Sequence, residues 1–100
     1  MTDLYQNQTQ LLSYELFLNN LDGTTTEPTI ASGFFSLINA SGTIVVPPTA
    51  VSISSNNVAE FLAKPSSGTA LIGVYHEVWD LFVSNESFIN TRILRIKELR

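Results

Sequence analysis

Apolar and polar residues alternate along most of this chain with a period of two, the spacing of strands that bury one face. Clusters of Asn, Gly, Pro and Ser cut the pattern at short intervals. From Leu11 to Leu18, Tyr14, Leu16 and Leu18 alternate with Ser13, Glu15 and Phe17, which predicts a strand ended by Asn19-Asn20-Leu21-Asp22-Gly23. Thr24 to Thr29 is too β-branched for a helix and, with Pro28, too interrupted for a central strand, so it reads as a loop or short edge. Ala31 to Ile38 reads as a second long strand. The turn Asn39-Ala40-Ser41-Gly42 joins it to Thr43-Ile44-Val45-Val46 in the clearest hairpin of the chain. Pro47-Pro48 should stop that hairpin, since proline donates nothing to a ladder, and Ala50 to Ser54 should resume in extended form.

Val58 to Ala63 is ambiguous, because Val58, Phe61 and Leu62 also fall at helical spacing; its short length and bracketing turns favour a strand. Lys64 to Thr69 is a loop, and Ala70 to Val83 is the strongest strand signal, expected to bend at Gly73. Its odd positions Tyr75, Glu77, Trp79 and Leu81 and its even positions Val74, His76, Val78, Asp80 and Phe82 both carry apolar residues. One face is therefore core and the other an interface. After the turn Ser84 to Ser87, Phe88 to Leu99 forms the last strand, where the change of parity from Ile93 to Ile96 predicts a bulge. Residues 1–10 are polar apart from Met1 and the isolated Leu4 and Tyr5, and read as an extended arm, of the kind that orders on a neighbour, or as the approach to a late-starting first strand. The sum is an all-β domain over residues 11–100, an antiparallel β-sandwich of about seven strands, immunoglobulin-like or jelly-roll-like.

Composition sharpens this picture. The 100 residues suffice for one core, and 44% are hydrophobic while 14% are charged, against about 25% charged in an average domain. So few charges leave part of the outside to be covered by a partner. The absence of cysteine excludes disulfides, thiolate zinc sites and a cysteine nucleophile. Neither a secretion signal nor an apolar run long enough for a membrane span is visible, which implies synthesis and retention in a cytoplasm until assembly. Charge is uneven: eight carboxylates against Lys64 give residues 1–91 a charge of −7, while Arg92, Arg95, Lys97 and Arg100 against Glu98 give residues 92–100 a charge of +3. That basic terminus reads as a solvated strand balanced by nearby acids, or as an edge docking on the acidic body of another copy. Direct nucleic-acid binding is not expected of a net charge of −4 without a basic and aromatic platform.

Candidate chemistry is sparse. His76 is the sole histidine; on a strand it shares a face with Asp80, while Glu77 points the other way. One His and one Asp are too few for a zinc or iron site, so neither catalysis nor a metal nor another cofactor is expected. Glycine-rich phosphate loops and nucleophile elbows are missing, and the Asn-x-Ser/Thr matches at Asn7, Asn39 and Asn85 are those expected by chance. Tyr75, Trp79 and Phe34-Phe35 could stack on a sugar or peptide, although filling the core is the better account of strand aromatics.

The hairpin from Phe35 to Val46 around Ser41-Gly42, the strand Asn57 to Ala63, then Gly73-Val74-Tyr75 leading to Glu77, Trp79 and Leu81, and the closing strand Arg92 to Ile96 resemble, in that order, a family of tailed-bacteriophage virion domains typified by the N-terminal domain of the baseplate upper protein. The resemblance spans roughly residues 11–99. It implies a virion structural protein without an active site, held in neck, baseplate or capsid surface by other virion proteins and by symmetric contacts with its own copies. The expected contact residues are Leu4 and Tyr5 of the arm, Val74, Val78 and Phe82 of the long strand, and Arg92, Arg95 and Lys97 of the basic terminus. The alternative is a carbohydrate- or peptide-binding module.

Overall fold

Most of the period-two alternation becomes strand. The computed structural model describes residues 2–63 and 72–98, and its regular elements are β1 (Thr2–Tyr5), β2 (Gln10–Tyr14), β3 (Leu18–Asn19), β4 (Thr25–Thr26), β5 (Ser32–Asn39), β6 (Ile44–Ala50), β7 (Ser52–Ile53), β8 (Ala59–Ala63), β9 (Gly73–Val83) and β10 (Glu86–Lys97). A five-stranded sheet has the order β1-β10-β9-β5-β6, a three-stranded sheet the order β2-β8-β7, and β3-β4 form a small hairpin. All pairings are antiparallel except β1 on β10, which is parallel.

Turn chemistry sets the registers. In the β5–β6 turn the Asn39 side chain accepts from the Ser41 and Thr43 amides, and Gly42 takes a φ of +90° that an L side chain rarely adopts. Ser84-Asn85 connect β9 to β10, so Val83 faces Glu86 and the ladder runs unbroken to Gly73 opposite Ile96. Asn57, itself at φ +62°, accepts from the Ile30 amide and donates to the Pro28 carbonyl, seating the loop that carries Ile30 into the core.

The core lies between the larger sheets. Tyr75, Trp79 and Leu81 of β9, Phe35 and Leu37 of β5, Leu94 and Ile96 of β10 and Leu4 of β1 meet Leu12 of β2 and Ala59 and Ala63 of β8. Aromatic contacts join the layers: Phe35 stacks on Phe61 with centroids 4.3 Å apart and meets Trp79 edge-on at 5.0 Å, while Tyr14 lies 5.8 Å from Trp79. Gly33 makes room for this packing, since a Cβ there would lie 2.7 Å from Leu81 Cδ2.

One charge sits among these apolar groups. The Glu77 side chain is fully buried, and its Oε1 accepts from Trp79 Nε1 at 3.0 Å and Arg92 Nη2 at 2.8 Å, while Oε2 accepts from Arg92 Nε at 3.1 Å. Arg92 Nη2 also donates to the Ser13 carbonyl of β2 at 2.9 Å, and the guanidinium lies 5.3 Å from the Tyr14 ring centroid and 5.9 Å from that of Trp79. The ion pair thus spans both sheets.

Several expectations need correction. Residues 2–5 form a strand instead of a free arm, because Leu4 finds a buried place beside β10. The expected strand Leu11–Leu18 divides into β2 and β3. Pro47-Pro48 do not end β6: it is an edge strand, and a register shift places both prolines opposite Ser36, between the pairs Phe35–Thr49 and Leu37–Val46. No bulge separates Ile93 from Ile96; the register is continuous, with Ile93 outward and Ile96 inward. Gly73 opens β9, directly after a bend at Ile72. There are ten strands among the described residues where about seven were expected, three of them two residues long. The ambiguous segment is strand β8, as favoured. The loop Lys64–Thr69, positions 70 and 71 and the last two residues lie outside the described residues.

Two stability measurements follow. Arg92→Met strands a buried carboxylate and should cost about 3–5 kcal/mol in urea unfolding, with Glu77→Gln, which keeps an acceptor for Trp79, costing clearly less. Leu4→Ala should cost about 2–5 kcal/mol, as core leucine truncations do, whereas a dangling arm would register no change.

Candidate interaction surface

The outward positions of the five-stranded sheet form cross-strand rows fixed by register. Phe34, Asp80 and Ile89 are opposite one another, as are Ser36, Val78 and Thr91, and Ile38, His76 and Ile93. Ile89 is 68% exposed, Val74 45%, Ile93 43% and Phe34 42%. Phe34 meets Phe82 edge-on at a centroid distance of 6.1 Å. This face therefore presents an apolar surface with two ionisable groups near its middle, His76 exposed and Asp80 half-buried. Asp80 Oδ1 is buried and finds no hydrogen-bond donor.

Val74, Val78 and Phe82 all belong to this face, as the parity of β9 predicts. Leu4 does not: it is buried on the inner side. Arg92 does not either, being turned inward onto Glu77. Tyr5 and Lys97 are half-buried partners in the β1–β10 pairing, and Arg95 lies opposite Asp3. Arg95 Nε reaches Asp3 Oδ1 at 3.1 Å and Lys97 Nζ reaches Oδ2 at 3.2 Å. The basic terminus is thus not a sheet edge, because β1 lies outside it and takes up two of its charges. Hydrogen bonding from Arg95 and then Lys97 holds the Asp3 carboxyl below its ordinary range. Asp22 is lowered likewise by the Thr24 hydroxyl and amide in the β3–β4 turn. Ile89 and Ile93 of β10 are exposed apolar groups on this face that the sequence reading does not name as contacts. Their signal was the strand parity that sets Ile89 and Ile93 opposite Leu94 and Ile96.

Tyr75, Trp79 and Phe35 are buried and present no stacking face, whereas Phe34, the fourth aromatic expected to stack, is exposed on the outer face. Among the described residues no three His, Cys, Asp or Glu side chains are grouped to hold a metal ion. A shallow depression of about 310 Å³ between the β5–β6 turn and the start of β9 is lined by Asn39, Ala40, Ser41 and residues 72–75. Its lining has no carboxylate, imidazole or amine, and the Ser41 hydroxyl is bonded to Asn39 Oδ1. No helix among the described residues is long and apolar enough to cross a membrane. No family model, curated protein or solved structure matches this chain.

Because Asp3 titrates lower in the folded protein than in the unfolded chain, its contribution to stability is complete above the ordinary carboxylate pKa and is lost as pH falls through the lowered value. Asp3→Asn should therefore lower the melting temperature at pH 6 and flatten its decline below about pH 4, and both effects should shrink in high salt. A variant with the unaltered acid profile would show that the three-residue charge cluster contributes nothing.

Proposed function

We propose that this chain is a structural subunit of a tailed-phage virion, folded as an immunoglobulin-like or jelly-roll-like β-sandwich, that docks on neighbouring virion proteins in the neck, baseplate or capsid surface. The observation that carries this reading is the outer face of the five-stranded sheet. Ile89, Ile93, Val74 and Phe34 stand out from it together, where an antiparallel sheet facing water alternates to polar residues. A sheet face with this many exposed apolar side chains is the usual mark of a surface that another protein covers. The Asp3–Arg95–Lys97 cluster at one margin supplies the polar rim that such interfaces carry. The order of the hairpin, the Gly73-Val74-Tyr75 strand and the closing strand supports the virion assignment through the resemblance given above. A carbohydrate- or peptide-binding module would need an exposed cluster of Tyr75, Trp79 or neighbouring aromatics, and the burial of Tyr75, Trp79 and Phe35, which leaves Phe34 alone of these exposed, favours protein docking.

Ile89→Lys places a charge on the exposed face without touching the core, so it should leave thermal unfolding nearly unchanged and lower occupancy in assembled particles about tenfold or more, given roughly 1.5–3 kcal/mol for burying such a side chain. Quantitative mass spectrometry of purified particles measures this directly, and normal occupancy would remove the face from the account.

A further inference from the structure

We infer that the outer face of the five-stranded sheet docks on the same face of a second copy of this chain, about a twofold axis running across the strands through Val78. This rests on reading that face as a docking surface and names its occupant.

Around the small central row Ser36–Val78–Thr91, one flanking row reads Phe34–Asp80–Ile89 and the other Ile38–His76–Ile93, each an ionisable residue between two apolar ones. Faces in an isologous contact must complement themselves. A twofold axis across the strands lays each row on the opposite row of the other copy: Phe34 over Ile38, Ile89 over Ile93 and Asp80 over His76, twice. An axis parallel to the strands would instead stack Asp80 on Asp80 and His76 on His76. Charge therefore selects the first arrangement.

Within one copy the two groups cannot satisfy each other, because four residues of strand separate them by about 13 Å. Stacked sheets lie about 10 Å apart, a gap that an imidazole and a carboxylate reaching from opposite sides can close. Asp80 is half-buried with its Oδ1 covered inside its own copy, so what a facing copy can reach is the part of the side chain still open on this face. An imidazole from the facing copy is a donor of suitable chemistry for this carboxyl group.

The test uses the full chain and two single substitutions. Sedimentation velocity across the micromolar range should show a dimer. His76→Asp sets like charges opposite each other, and Asp80→His sets imidazole against imidazole and removes the acid, so each should weaken self-association about tenfold or more. An equimolar mixture of the two should recover a dimer, because each variant then supplies what the other lacks. Both positions face outward, and the melting temperature of each variant checks that the fold persists. Monomeric wild-type protein through the whole range, or a mixture that associates no better than its components, would overturn the inference. A monomer whose Ile89→Lys variant is still excluded from particles removes the second copy while sparing the docking reading. A recovered dimer whose Ile89→Lys variant enters particles normally does the reverse.

Discussion

A carboxylate carried into a protein interior forfeits its hydration, a loss of several kcal/mol that a domain stable by about 5–15 kcal/mol can absorb once at most. Glu77 stands in that position, and much of the architecture is what its compensation requires. Arg92 has to lie directly across the β9–β10 ladder, which fixes the register of the two longest strands. The Trp79 indole has to point the same way as Glu77 to donate its N–H, which commits the odd face of β9 to the core. The guanidinium then reaches across the layers to the Ser13 carbonyl and stands against Tyr14, tying β2 to the larger sheet. Slipping β10 by one residue would turn Arg92 to solvent and leave Glu77 alone. The ion pair thus serves as a registration device more than as a source of net attraction.

The same pair alters what the charge distribution means. A basic terminus looks, in linear sequence, like an exposed feature ready for a partner. Folded, Arg92 is consumed inside and Arg95 and Lys97 close on Asp3, so strand β1 is held by apolar burial at Leu4 and by charge at its outer side. Sparse charge remains on the outer face of the large sheet, where His76 and Asp80 stand among apolar neighbours. The proposed docking surface is therefore what remains once internal pairing has claimed most of the bases.

Local pattern made the strands legible because burial on one side imprints a period of two, and the hairpin Phe35–Val46 and the strand nature of Ala59–Ala63 were readable on that basis. Properties that depend on the whole topology were not. Whether prolines end a strand turns on whether it is an edge, which Pro47-Pro48 alone do not reveal. Parallel pairing of β1 joins the two extremes of the chain, and a single Leu4 among polar residues carries little trace of it. Ile93 and Ile96 looked like a shifted face because apolar residues on both sides of a strand and a bulge give the same parity signal. Of the candidate contacts, those on the even positions of β9 followed from alternation. Arg92 was misplaced because its inward turn follows from pairing with Glu77, fifteen residues earlier, and this needs the register as well as the sequence.

The prolines of β6 have one more consequence. A sheet can lengthen sideways by recruiting another strand along a free margin, the route to ribbons and fibres. Here Pro47 and Pro48 remove two amides and kink one margin, and at the other β1 offers four residues with Asp3 among them. Lateral recruitment is thus obstructed on both sides of the five-stranded sheet, and any joining of copies through it would fall to its broad face, where layers close into finite particles while margins joined to margins would run on without end.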